Sequence, residues 1–348
     1  MLPKALILAG GKGLELRPLT LNTPKPLLTV GGLPLMLYHV ELFKKAGIRD
    51  ILLSLSYQPR KIRDLFEDGA GIGVLMRYAV ESLPVGTAGA LKLSENQIEQ
   101  TAVVINGDIV TDLNLSDVLR FHRRTAALVT IVLVEVPNPG AYGVAELAAD
   151  GSIRSFVEKP RDVLPLNRPL ASAGIYILEP GVLDLIPPAV SFSFERDLFP
   201  RLLAEDFPFF GYEHNGYWID IARPSNYLQC NLDLLDGRIQ APRFPGFPLE
   251  RKTEIPEGVQ IDAASIIHPS CVLKSGAQIS NSVVGRNCRI EEGTVLEDSV
   301  LWPGTRLKRR ARVCGAIIGT SCLVGEGATL RKGRILGDKT IVTDFSRL

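Results

Sequence analysis

The stretch LILAGGKGLELRPLTLNTPKPLL, near the start of the chain, holds the first residues whose types and spacing could do chemistry. An apolar run ends at Leu8 and gives way to Ala9, Gly10, Gly11 and Gly13. Closely spaced glycines after a strand bare backbone N–H groups, which can bind phosphate oxygens. The dinucleotide pattern GxGxxG is absent, because Leu16 stands where its last glycine belongs. The Walker pattern is absent too, since no Gly-Lys-Ser/Thr closes the loop. On its own the loop is weak evidence, and a plain tight turn stays open. Downstream, Pro24 and Pro26 bracket Lys25, fixing the backbone so that its ammonium is aimed. Together the two features point to a triphosphate. Glu15, an acid in the middle of the same loop, is what that reading must explain.

Composition and period indicate the elements that would hold this loop. The 348 residues are 46% apolar and 22% charged, enough for two domains with their own cores. The net charge is +1 and no Lys/Arg run resembles a nucleic-acid tail, so no bulk field draws the chain to nucleic acid or to a membrane surface. The opening apolar run is too short for a signal peptide or a membrane span and reads as a first buried strand. Five scattered cysteines without a CxxC pair suggest a reducing, cytoplasmic setting. Four distant histidines make a histidine-rich metal site unexpected.

Residues 1–235 alternate strand-like runs (Ala5–Leu8, Ile51–Leu55, Ala102–Ile105, Thr130–Val136) with helical patterns. In PLMLYHVELFKKAG, Pro34 suits the first turn, Met36, Val40 and Phe43 share a face, and Gly47 suits the stop. Such alternation predicts an α/β sheet with crossover helices. Residues 236–254 are rich in Gly, Pro and Arg and read as a linker. Residues 255–348 repeat. Three aliphatic columns advance by 17: Ile267, Val284, Leu301, Ile318, Ile335; Leu273, Ile290, Leu307, Val324, Ile341; and Ile279, Leu296, Val313, Leu330. Small residues, Cys271, Cys288 and Cys322 among them, sit two positions before most members. The pattern predicts a triangular parallel β-helix of about five turns, similar to the left-handed β-helix of hexapeptide-repeat proteins. Its edges and faces favour self-association into a homo-oligomer.

The pattern L-A-G-G-x-G-x-x-L-x-P-L-T-x-x-x-P-K-P resembles the opening of the sugar-1-phosphate nucleotidyltransferases. Later segments resemble that family in order: Glu81-Ser-Leu-Pro-Val-Gly-Thr-Ala-Gly-Ala90, Asn106-Gly107-Asp108, Tyr142-Gly143-Val144, Phe156-Val157-Glu158-Lys159-Pro160, Ser172-Ala-Gly-Ile-Tyr176 and Gly216-Tyr-Trp-Ile-Asp-Ile221. With the β-helix tail, the mannose-1-phosphate guanylyltransferase branch is most similar. The resemblance implies a Rossmann-like α/β domain with a mixed, mostly parallel sheet, then a left-handed β-helix. It implies transfer of a nucleotidyl group from a nucleoside triphosphate to a sugar-1-phosphate, with Mg²⁺. It assigns the nucleotide to Leu8, Ala9, Gly10, Gly11, Gly13, Arg17, Lys25, Glu81, Gly86 and Thr87. Asp108 and Asp220 would hold the metal, and Lys25 and Lys159 would neutralise the phosphates. Gly143, Glu158, Lys159 and Ser172 would bind the sugar phosphate. An ionised Glu81 accepts from guanine N1–H and N2–H₂ together, which favours GTP and GDP-mannose.

Three departures stand out. Glu15 replaces the family's usual Arg, Ser172 a common Asn, and Ala222-Arg223 a common Gly-Thr. A like charge beside a triphosphate can cost a few kcal/mol. Arg17 or Lys12 could take over the contact, Glu15 could ligate a further Mg²⁺, or the chain could be a non-catalytic, regulatory nucleotide-sugar-binding paralogue. Glucose-1-phosphate is the alternative sugar. An acyltransferase would want a histidine base on the β-helix, where only His268 occurs. A glycosyltransferase would want Asp-x-Asp, which Asp108-Ile-Val-Thr-Asp112 does not fit.

Overall fold

A computed structural model describes residues 3–81, 83–160, 168–249, 251–252 and 254–348. Ser82 of the expected base-binding stretch, and Glu250 and Thr253 of the expected linker, lie outside the described residues. The chain forms two compact units, residues 1–11 with 39–218, and residues 12–38 with 219–348. By its contacts the segment from Lys12 to Tyr38 groups with residues 219–348.

The first unit is built on a nine-stranded mixed sheet. Its central run is parallel: Ala102–Asn106, Lys4–Leu8, Asp50–Leu55 and Leu75–Val80 lie side by side in that order. Strands buried on both faces read as unbroken apolar runs, and Ala5, Ile7, Ile51, Leu53, Val103 and Ile105 are indeed fully buried. The other half is mostly antiparallel, Leu170–Leu178 pairing with Ala102–Asn106, Val129–Glu135 and Gly143–Leu147, while Phe209–Glu213 runs parallel to Val129–Glu135. Ile153–Glu158 closes that edge against Gly143–Leu147. The helix Leu35–Lys45 buries Met36, Val40 and Phe43 as its spacing requires. Pro34 lies just before it, and Gly47 ends the turn at φ +77°.

The second unit contains a left-handed β-helix of three five-stranded parallel sheets. Every column from Ile267, Leu273 and Ile279 runs inward in register as far as Ile318, Val324 and Leu330. There the expectation fails by one residue. Ile318 pairs with Leu336 rather than Ile335, and Val324 with Val342 rather than Ile341. The corner from Leu330 to Leu336, containing Gly333 at φ +86°, is one residue longer than its counterparts. Leu336 and Val342 are therefore 9% and 5% exposed, whereas Ile341 is 69% exposed. The small residues sit as expected: Cys271, Ala277, Cys288, Thr294, Thr305, Ala311, Cys322 and Ala328 are all buried.

Candidate active site

In the first unit the glycine loop leaves the strand Lys4–Leu8 at the centre of the parallel run. Leu8 O accepts from Gly107 N at 2.9 Å, so the turn before Asp108 passes directly over the loop. A Cβ on Gly107 would meet Leu8 O at 2.8 Å, which is why glycine stands there. Glu81 lies on the opposite flank. Its Oε1 accepts from Ser54 Oγ at 2.5 Å and would be 3.1 Å from a Cβ on Gly10. The bare backbone of Gly10 and an acceptor-only carboxylate are thus neighbours.

Gly86 combines φ +77° with a Cβ position 2.5 Å from Phe192 O, so no other residue fits without moving backbone. The Thr87 hydroxyl is turned to the same segment. It accepts from Phe194 N at 2.9 Å and lies 3.3 Å from Glu195 Oε2.

Three of the sugar-binding candidates, Gly143, Glu158 and Lys159, form one cluster. Gly143 pairs with Glu158 across the edge strands, and a Cβ on Gly143 would meet Phe156 Cζ at 2.3 Å and Glu158 Oε2 at 2.9 Å. Lys159 follows at φ +47°, a left-handed conformation that L side chains avoid, and its side chain is 59% exposed with Nζ 3.9 Å from Glu158 Oε1. Backbone strain of this kind persists only where surrounding structure enforces it, and here Lys159 N donates to Tyr142 O at 3.0 Å. Burial raises the Glu158 pKa, the Glu195 charge raises it further, and Lys159 and Arg196 pull it back. Ser172 is buried where the pairing of Leu170–Leu178 with Val129–Glu135 shifts register, a bulge that re-aims side chains.

Sequence reasoning missed two residues of this neighbourhood. Glu195 accepts from Tyr176 OH at 2.6 Å and Ser193 Oγ at 2.8 Å, linking a buried strand to the Glu158 cluster. Nothing in Ser193-Phe194-Glu195 marks that carboxylate as inward, since Ser-x-x patterns read simply as helix caps. His39 is buried, its Nε2 2.7 Å from Ile109 O, immediately after Asp108. Its period on the helix Leu35–Lys45 reads as core, and only the fold shows what it touches.

In the second unit Gly13 adopts φ +60° and opens the 3₁₀ turn Leu14–Leu16, and its carbonyl accepts from Thr20 Oγ1 at 2.6 Å. Leu16 is fully buried, which leaves Glu15 and Arg17 exposed on either side of it. Lys25 begins another 3₁₀ turn, Lys25–Leu27, half-buried between the buried Pro24 and Pro26. Asp220 ends the short strand Trp218–Asp220, and its Oδ1 accepts from Ala222 N at 2.6 Å. Asp108 belongs to the first unit and Asp220 to the second. His268 has both ring nitrogens engaged, by Ser270 at 2.8 Å and Arg286 at 3.1 Å, which argues against an acyltransferase base.

Residues 4–237 match the family model described as Nucleotidyl transferase. Residues 249–348 match the model described as EIF2B subunit epsilon LbH domain. A protein of Mycobacterium tuberculosis named mannose-1-phosphate guanylyltransferase is 34% identical over 301 residues, covering 86% of this chain and 79% of that protein. A Synechocystis protein named UTP–glucose-1-phosphate uridylyltransferase is 31% identical, covering 86% of this chain and 87% of its own. The Yarrowia lipolytica protein named mannose-1-phosphate guanyltransferase is 39% identical over 230 residues, 65% of this chain and 62% of its own.

Proposed function

The chain belongs to the Nucleotidyl transferase family, and we propose that it joins GTP and mannose-1-phosphate into GDP-mannose and pyrophosphate. The observation that carries the choice of base is Glu81 beside Gly10. Guanine offers a carboxylate two adjacent donors, and uracil offers one. A uridylyltransferase acting on glucose-1-phosphate is the second reading, favoured by the name of the Synechocystis relative.

A phosphate oxygen of the sugar-1-phosphate attacks the α-phosphorus. The bond to the β-phosphate oxygen breaks, and pyrophosphate leaves with that electron pair. Catalysis of this kind is mostly positioning and charge neutralisation. Gly10, Gly11 and Gly13 offer N–H groups, and Lys25 and Arg17 neutralise the departing pyrophosphate. Lys159 holds the sugar phosphate, Glu158 accepts from sugar hydroxyls, and Gly143 admits the ring close to the backbone. Ser172 would offer its hydroxyl to the sugar. Leu8, Ala9, Gly86 and Thr87 shape the nucleotide side, the last through its bonds to Phe194 and Glu195.

Among the described residues no group of three or more His, Cys, Asp or Glu side chains is gathered for a metal. Asp108 and Asp220 offer only oxygen, which suits Mg²⁺, an ion held by one or two carboxylates and completed by substrate phosphates. When bound, Mg²⁺ supplies charge neutralisation on the triphosphate. We take the setting to be cytoplasmic. Among the described residues no helix is long and apolar enough to cross a membrane. The exposed Val272, Ile341 and Phe345 of the β-helix support a homo-oligomer.

The test is competition between GTP and UTP with Glu81→Ala alongside. Preference for GTP that falls by about tenfold or more in the variant supports the reading, since paired hydrogen bonds discriminate by about 1–3 kcal/mol. A preference for UTP, or no response to the substitution, overturns it.

A further inference from the structure

The segment that carries Gly13, Arg17 and Lys25 is tied to the β-helix of its own unit at two places. At the first, Asn22 Nδ2 donates to Asp338 Oδ2 at 3.0 Å. Beside it Pro18 packs against Gly337, where a Cβ would meet Pro18 Cβ at 2.9 Å and Cγ at 3.2 Å. Asp338 is itself fixed, its Oδ1 accepting from Thr320 N at 2.9 Å. At the second, Tyr227 OH donates to Thr29 O at 2.7 Å, and Asn231 Oδ1 accepts from Gly31 N at 2.9 Å. The same Tyr227 hydroxyl accepts from Trp302 Nε1 of the β-helix at 3.1 Å. Between the two anchors lie Lys25 and its prolines, and just before the first lie Glu15 and Arg17.

We propose that the last turn of the β-helix, through Gly337 and Asp338, is a positioning element for the triphosphate loop. The proposal rests on the reading of Gly13, Arg17 and Lys25 as nucleotide groups. A loop that orders only on binding loses affinity to its own entropy, and one docked in advance does not. Gly337 is well suited to reveal the coupling. Its φ is not in the left-handed region, so the backbone accepts alanine, and the atoms in the way belong to Pro18, a rigid ring next to Arg17. One methyl on the β-helix therefore pushes on the loop.

The experiment uses the full chain with Gly337→Ala, Asp338→Ala and a matched control, Asp344→Ala. Asp344 accepts from Glu326 N at 2.8 Å in the same way that Asp338 accepts from Thr320 N, and it bonds Lys308 rather than the loop. Amide hydrogen exchange is read at Leu16, Arg17 and Leu21, whose N–H groups bond within the loop. Michaelis constants are read for GTP and mannose-1-phosphate. The expected result is faster loop exchange in Gly337→Ala and Asp338→Ala, with the GTP constant raised several-fold and the sugar-phosphate constant unchanged. Asp344→Ala should change neither. Loop exchange equal to that of the parent overturns the proposal, and so does faster exchange with an unaltered GTP constant. If the parent turns over no substrate, the assigned reaction fails, and the binding constant for GTP, read by titration, replaces the kinetic one.

Discussion

Tyr176, fully buried, donates its hydroxyl to Glu195 Oε1 at 2.6 Å. The bond spans from the middle of a core strand to a short helical turn, and it holds in place a carboxylate whose field raises the Glu158 pKa. Tyr176→Phe keeps the ring packing against Phe194 and Phe199 and removes only the hydroxyl. Hydrogen bonds to charged groups contribute about 1.5–3 kcal/mol, so denaturant unfolding should show a loss in that range. With the Glu195 carboxylate no longer held by that hydroxyl, the Michaelis constant for mannose-1-phosphate should rise while that for GTP stays put. Equal changes in both constants would point to a general structural loss.

Lys159 separates stability from activity. At φ +47° any L residue is strained, and glycine is not. Lys159→Gly should therefore leave unfolding free energy within about 1 kcal/mol of the parent, strain relief offsetting backbone entropy. The same substitution removes the ammonium to which the proposed function assigns the sugar phosphate, and turnover should fall by about a hundredfold or more, the order for a lost charged contact in transfer. Lys159→Ala should lose activity equally and be less stable than Lys159→Gly. Thermal unfolding and turnover together check the pair.

His39 makes the fold sensitive to acid. Burial lowers its pKa to about 4, against which the bond to Ile109 O and the Asp108 charge act weakly. The native state keeps this ring neutral, whereas the unfolded chain protonates it below its ordinary value near 6.5. Stability is thus full above about 6.5 and is lost as pH falls toward about 4, by up to roughly 3 kcal/mol. His39→Gln, read by unfolding at pH 7.5 and pH 5, should flatten that dependence. An unchanged slope would place the acid sensitivity elsewhere.

The longer corner before Leu336 makes a simple prediction about the final turn. Val342→Ala should cost about 1.5–3 kcal/mol, because the methyls leave a buried column. Ile341→Ala should stay within about 0.5 kcal/mol, its side chain being 69% exposed. The opposite ranking would restore the strict spacing of 17 that the sequence suggests.

That corner also shows what could be read in advance. Aliphatic columns and small residues two positions earlier are a period, and period survives without a structure. A single inserted residue near Gly333 does not break the pattern visibly, because Ile335 and Ile341 stand beside Leu336 and Val342 and are equally aliphatic. The parallel strands were legible for a similar reason, as unbroken apolar runs. Gly107, Gly143 and Gly86 could be named from their motifs, but only packing shows that Leu8 O, Phe156 and Phe192 O exclude a side chain. Glu195 was invisible because its partner Tyr176 lies 19 residues away on a strand whose inward positions read as core. The docking of residues 12–38 with the C-terminal unit was equally hidden, since Asn22 and Asp338 are 316 residues apart.

Glu15 is the point on which the account turns. It is exposed beside Arg17 on the loop that Gly13 opens, and the proposed function gives the phosphate contact to Arg17 in its stead. The most direct measurement is Mg²⁺-dependent pyrophosphate release from GTP and mannose-1-phosphate by the natural chain and by Glu15→Arg. The account predicts release by the natural chain, with at most a modest gain in the variant, and loss of release in Arg17→Ala. Silence in the natural chain with activity appearing in Glu15→Arg would contradict it and make the chain a nucleotide-sugar-binding paralogue.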